Sequence, residues 1–597
     1  MRRPQPQERR GELAGSDHTD ADAHEPRQSR NFRSHNAWNH IIMRITLLRY
    51  SSCTSSPRAG VAHFTATPGR VMPGLDRRTL LLAGGAAALA AVTAPALEAQ
   101  AKSTPAASLR TASGRGRSTL SFPTVDVQAD CGAAGDGVTN DSAAFRQAAL
   151  TLQAAGGGTL VIPAGIYVVG EQVHTSGVTP YYVAQPVFSV HDLDLVDIQG
   201  NGAVLRLADG LHYGSFDPNT GAVANPTTQS TLPERACKTG NILEFTQCQN
   251  VTINDLEIDG RSDHLVLGGP WGDNGRQLPG SGIWLQKCSE VQIVDVTTHH
   301  HPLDGVYIAW AGLTGTDPAT PHTLTRVVSE YNGRQGLSWV GGRGLTCTDC
   351  SFSHTGRGAL SSAPAAGLDI EPQGTVCRDG RFENCHFEDN AGVGMLAAAG
   401  DGGYTTFVDC TFWGTTNYSI WCRRPYLAFE GCTVRGSAVH TYGSAVAAEA
   451  TQFTSCTFAD ELPSGVPSGS VFRTKYLYDS SNDCPNVSWD GCTFTANQVK
   501  TIYVAGSTTA PAALTGCTFV HRTPSFSDGA THQCIIRNST IEGTRFSEDF
   551  PPGTTTAFYI SRSGVTVSAG AATVVDGPLV RWGSTSGLTG TIPPGSY

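Results

Sequence analysis

"CTFWGTTNYSIWCRRPYLAFEGCTV", residues 410–434, holds one complete period of this chain. It opens on Cys410-Thr411-Phe412 and closes on Cys432-Thr433-Val434, with the alternating stretch Ser419-Ile420-Trp421-Cys422-Arg423 between them. The triplet recurs as CSF at 350, CHF at 385 and CTF at 456, 492 and 517, which spaces the seven cysteines 35, 25, 22, 24, 36 and 25 residues apart. A unit of about 24 residues, lengthened in places by a loop, is the size of one coil of a parallel β-solenoid. Coils of such a solenoid stack about 4.8 Å apart, so equivalent residues form ladders.

A second column runs between the triplets: GIWLQ at 282, GVYIA at 305, GLSWV at 336, GLDIE at 367, GVGML at 392 and SIWCR at 419. Successive strand side chains point to opposite faces. One face then carries Ile283/Leu285, Val306/Ile308, Leu337/Trp339, Leu368/Ile370, Val393/Met395 and Ile420/Cys422. Every one of these is apolar, which fixes the register, because a slip of one residue would turn the whole set outward.

The composition agrees with a β-rich chain. Only 15% of the 597 residues are charged and 68 are glycine, which excludes a coiled coil or a long helical bundle. A net charge of −10 with no dense Lys/Arg run excludes a nucleic-acid surface. Residues 1–71 are rich in Arg and His and show no apolar periodicity; they are read as mistranslated upstream sequence or a disordered segment, with Met72 as the start. From there Arg77-Arg78, an apolar run and Ala99-Gln100-Ala101 have the form of a bacterial twin-arginine export signal, residues 72–101, followed by a linker, 102–122. A cleaved signal leaves an exported, secreted chain without stable membrane association, its single domain running from 123 to 597 and its last coils and C-terminal cap at about 540–597.

Sixteen of the 17 cysteines follow the signal, where disulfides are permitted. The repeated ones occupy inward strand positions, so they are expected to be free thiols stacked in the core. The one C-x-x-C, Cys347 to Cys350, lacks a second pair at zinc-site spacing and is assigned no metal or redox role.

The head of the domain reads "VDVQADCGAAGDGVTNDSAAFRQAALTLQAAGGGTLVIPAGIYVVG", residues 125–170. It resembles the opening of pectate-lyase-like, rhamnogalacturonase/epimerase-type proteins. Their recurring pattern is matched by Gly132-Ala133, Gly135-Asp136-Gly137, Asn140-Asp141, Gly156 to Thr159, Pro163, Gly165 and Tyr167. The resemblance implies an all-β, right-handed parallel β-helix whose short N-terminal helix, capped by Asn140 or Asp141 and apolar at Ala144, Phe145, Ala148, Ala149 and Leu152, covers the open end of the solenoid. It also implies that Asp136 is structural. The superfamily spans hydrolases, lyases, epimerases and adhesins, so the chemistry must come from the site. Neither the polygalacturonase motif set nor the D-P-H-E element of mannuronan epimerases occurs here.

The outward face of the second column is Trp284 and Gln286, Tyr307, Ser338, Asp369 and Glu371, Gly394, then Trp421 and Arg423. Aromatic planes flanking a carboxylate pair suit a polysaccharide groove. Asp369 and Glu371 are the expected acid and nucleophile or base of a glycoside hydrolase, with Asp304 as a further catalytic candidate. Two residues of strand rise span about 6.6 Å, near the carboxyl separations of glycosidases, and like charges this close raise one pKa. Trp284, His300, His301, Tyr307, Arg334, Trp421 and Arg423 are the expected substrate contacts. Arg334 stands where it can bind a substrate carboxylate or pair with Asp304. Three adjacent histidines alternate along a strand, so His299, His300 and His301 do not make a three-histidine zinc site, and neither metal nor cofactor is expected. A cation such as calcium enters only under the runner-up, elimination or epimerisation of a uronate glycan; a non-catalytic glycan-binding adhesin is the third reading.

Overall fold

The computed structural model describes residues 122–568, except 226–229, 273, 414–417, 437–438, 461–475, 481–483, 497–499, 506–509, 511, 522–529, 533, 538–539, 543–558 and 564–565. The export signal, the linker and most of the expected C-terminal cap therefore lie outside the described residues.

The chain winds as a parallel β-helix. In one coil, Thr405–Val408 is followed by a two-residue turn, then Thr411–Trp413, a corner, and Ile420–Cys422. Each strand pairs in parallel with its counterpart one coil on, as when Phe407 opposes Phe429 and Phe412 opposes Val434. The third strand of successive coils builds a nine-stranded parallel sheet: β1 (Phe188–His191), β2 (Leu243–Thr246), β3 (Ile283–Gln286), β4 (Asp304–Ala309), β5 (Gln335–Trp339), β6 (Ala366–Ile370), β7 (Met395–Ala397), β8 (Ile420–Cys422) and β9 (Val439–His440).

The core is a set of ladders. Phe382, Phe407, Phe429 and Phe453 stack at centroid spacings of 5.0, 4.9 and 5.0 Å, all of them buried. The cysteines are free and, apart from half-buried Cys131, buried among the described residues, as expected. The place of the seven repeated cysteines differs in one respect: they sit at the turn between the first two strands, not within a strand. The preceding residue has a left-handed backbone (Asp349 φ 56°, Asn384 φ 51°, Asp409 φ 50°, Gly431 φ 63°). The turned-in thiol then donates to nearby carbonyls, Cys410 Sγ to those of Val408 at 3.3 Å and Phe382 at 3.5 Å.

The N-terminal end is covered by α1 (Ser142–Ala155), which buries Ala144, Phe145, Ala148, Ala149 and Leu152. Of the two expected caps, Asn140 Oδ1 accepts from the Ser142 amide at 3.0 Å. Asp141 occupies the N-cap position but sends its carboxylate to the amides of Ala134 and Gly135, at 2.7 and 3.1 Å. The helix ends at Gly156, φ 78°, and a Cβ on Gly158 would lie 2.5 Å from the Pro123 carbonyl oxygen, so the glycine run is a packing requirement. Asp136 is structural: its Oδ1 accepts from the Val138 and Thr139 amides at 2.9 and 2.7 Å. No helix among the described residues is long and apolar enough to cross a membrane.

Candidate functional site

The outer face of the nine-stranded sheet takes its shape from a column of glycines at the corner where each strand begins. A Cβ on Gly305 would lie 1.9 Å from Ser329 Oγ, and one on Gly336 would lie 2.8 Å from the Gly367 carbonyl oxygen. These positions face the crowded interior, as do Val306 and Leu337 immediately after them. Two consecutive inward residues interrupt the alternation. The residues before the glycines, Asp304 and Gln335, are thereby brought to the face that carries Tyr307, Ser338 and Asp369.

A polar network results. Arg334 donates to Asp304 from Nε to Oδ1 at 2.9 Å and from Nη2 to Oδ2 at 2.6 Å, and reaches Ser338 Oγ at 3.4 Å. The Ser338 hydroxyl donates to Gln335 Oε1, and Gln335 Nε2 donates to Asp369 Oδ2. Asp304 is fully buried and Asp369 is 3% exposed. Burial pushes the Asp304 carboxyl up against the pull of Arg334. Burial also opposes the charge on Arg334, but Asp304 outweighs it and keeps the guanidinium charged. Asp369 is raised well above the ordinary carboxylate range, by burial first and then by the neighbouring Glu371 charge. Asp369 and Glu371 are thus an unequal pair, as two close carboxyls of different burial must be.

Flat aromatic surfaces lie on both sides. Trp284 and Tyr307, opposed across β3 and β4, stack at 3.7 Å and 7°. Burial pushes the Tyr307 phenol up to about 12. Above Asp369 the register places Leu396 and then Trp421. Trp421 stacks on His440 at 4.6 Å and meets Tyr418 edge-on at 4.5 Å. Arg423 is exposed beyond the end of β8.

Three expectations are corrected. The inward pair of the fifth rung is Met395/Ala397 with Leu396 outward, not Val393/Met395 with Gly394 outward, because Gly394 is the corner glycine and donates its amide to Tyr418. Its Cβ would meet the Ser419 carbonyl oxygen at 2.4 Å, whereas the sequence reading set Gly392 as the column glycine. His301 does not face the groove. It is 1% exposed, its Nε2 lies 2.8 Å from Thr298 Oγ1, its amide donates to Asn332 Oδ1, and burial first of all lowers its pKa to about 3. His300 likewise lies outside the sheet face, in a left-handed turn (φ 54°) with its ring stacked on Tyr331. The remaining candidates fall along β3–β8 and the turns beside it. Sequence reasoning missed Gln335, which the glycine column signals, and His440, which stands on a two-residue strand with no readable repeat.

Residues 311–466 match the family model of the right handed beta helix region. The described strands form a parallel β-helix, and over residues 311–466 the match is to the right-handed form of that fold. The chain is similar in structure to the N-terminal fragment of bacteriophage phi29 gene product 12, at 15% identity and TM-score 0.44, over 74% of this chain and 70% of that one. It is similar also to the catalytic unit of a GH87 α-1,3-glucanase from Streptomyces thermodiastaticus strain HF3-3 (16%, TM-score 0.37, 79% and 71%). A third likeness is the A-module of the mannuronan C-5 epimerase AlgE4 of Azotobacter vinelandii (15%, TM-score 0.35, 78% and 99%). No curated protein matches the chain in sequence.

Proposed function

We propose that the chain is a polysaccharide-degrading glycoside hydrolase working on the outer face of β3–β8. The observation that carries the reading is the pairing of buried Asp369, raised well above the usual carboxylate range, with half-buried Glu371 two residues on. A carboxyl whose pKa is raised is suited to give its proton to a glycosidic oxygen, while its partner attacks the anomeric carbon or activates water. Gln335 and Ser338 fix the orientation of Asp369, and Arg334 is a positioning residue through Ser338. The Trp284–Tyr307 plane and the Trp421 plane offer stacking surfaces to sugar rings on either side.

Elimination at a uronate is the weaker reading, because Arg334 commits both Nε and Nη2 to Asp304 and so is not free to neutralise a substrate carboxylate. Export through the Arg77-Arg78 signal is part of the proposal and suits a polymeric substrate that stays outside the cell. The test is a panel of polysaccharides with product mass analysis. Hydrolysis adds water and leaves no unsaturated product. Absorbance near the ultraviolet maximum of a conjugated uronate would overturn it, and glycan binding without turnover would make the chain an adhesin. Asp369→Asn and Glu371→Gln should each lower turnover by roughly 10²- to 10⁴-fold with glycan binding retained.

A further inference from the structure

Away from the groove, at the corner that precedes β4, three ligating side chains converge. Asp259 and His299 are register partners on adjacent coils, and His300 follows His299. One ligand atom from each of the three lies within 4.8 Å of the others. Adjacent strand residues ordinarily diverge, but His300 is left-handed, with φ 54°, and this turn brings its ring back beside that of His299. The two Nδ1 atoms stand 2.7 Å apart, and His299 Nδ1 lies 3.8 Å from Asp259 Oδ1.

We propose that Asp259, His299 and His300 form a binding site for an imidazole-preferring divalent transition metal, Zn²⁺ above all, which clamps two coils at this corner. Ligand atoms around tetrahedral zinc stand about 3.3 Å apart for metal–ligand bonds near 2.05 Å, and the separations of 2.7 and 3.8 Å straddle that value. Small ring rotations would equalise them. The supporting shell is already in place. His299 Nε2 lies 3.3 Å from Glu257 Oε1, the carboxylate–histidine arrangement that fixes a metal-binding ring. The His300 ring is held by stacking on Tyr331, at 5.1 Å and 8°. Asp259 keeps Oδ1 toward His299, while its Oδ2 meets Arg206 Nε at 3.4 Å. His299 and His300 are half-buried and Asp259 is buried, so an ion would enter from the side of the two rings, with water as its fourth ligand.

The test uses the full chain stripped with chelator and titrated with Co²⁺ and Zn²⁺. A 1:1 stoichiometry, visible Co²⁺ bands of tetrahedral intensity and a Tm that rises with Zn²⁺ are expected. His300→Asn, a residue that tolerates the left-handed backbone, should abolish the bands, and Glu257→Gln should weaken binding roughly 10- to 100-fold. Absence of bands in the native chain, thiolate-to-metal charge transfer in the near ultraviolet, or unchanged affinity in Glu257→Gln would each overturn the proposal. Should His300→Asn fail to fold, Glu257→Gln alone decides it.

Discussion

Two ladders of the same solenoid behave in opposite ways. At the turn between the first two strands, Cys350, Cys385, Cys410, Cys432, Cys456, Cys492 and Cys517 repeat one side chain coil after coil. On the outer face of the nine-stranded sheet no two neighbouring coils agree: Glu244, Trp284, Tyr307, Ser338, Asp369, Leu396, Trp421 and His440 follow one another. Interior space in a stacked coil has the same shape at every level, so it selects the same residue each time. An outer face has no such constraint, and its departures from repetition are where a substrate can be recognised.

The sharpest way to break this contrast is Asp369→Asn. Besides the loss of turnover, it should change the pH dependence of stability. The folded-state pKa of Asp369 lies above its unfolded value near 3.9. The native state therefore holds a proton that the unfolded chain releases, and stability falls as pH rises from about 4 through the folded value. Asparagine removes that slope, so the variant should be inactive yet less pH-sensitive in chemical denaturation. A steeper slope would contradict the assignment.

Next come two variants of similar energetic size and opposite functional meaning. Phe407→Ala in the aromatic ladder should cost roughly 3–5 kcal/mol of stability, with turnover per folded molecule unchanged. Asp304→Asn strands a mostly buried guanidinium and should cost about as much, roughly 3–5 kcal/mol; because Arg334 also touches Ser338, turnover should fall with it. Equal activity loss in both would erase the distinction between the ladders.

The smallest effect concerns His354, raised by its hydrogen bond to Asp389 and stacked on Tyr331. A raised histidine contributes stability that is present below its unfolded pKa, near 6.5, and lost as pH rises through the folded value. For a pair this exposed the contribution is below about 1 kcal/mol. Urea denaturation at pH 6 and 8, with and without His354→Gln, isolates it.

Legibility followed the same divide. The inward sets of β3, β4, β5, β6 and β8 were readable because burial at a period of two leaves an apolar imprint. The fifth rung misled because GVGML carries two glycines, and sequence does not say which one meets the Ser419 carbonyl. The histidine run misled because strand alternation was assumed through His300, where a left-handed turn intervenes. The carboxylate pair was visible as Asp369-Ile370-Glu371, but the burial that separates the two acids was not. It depends on Gln335, Ser338 and Arg334, contributed by the coil below.

By itself the sequence determined the solenoid, the inward faces of β3, β4, β5, β6 and β8 and the thiol column, since each is written in spacing and polarity that local geometry converts directly into direction. Only the tertiary structure decided which acid is buried, which histidines meet and where each corner glycine falls. Those depend on the approach of one coil to the next, where distances below 3 Å between residues about 30 apart in the chain select among alternatives that the sequence leaves equal.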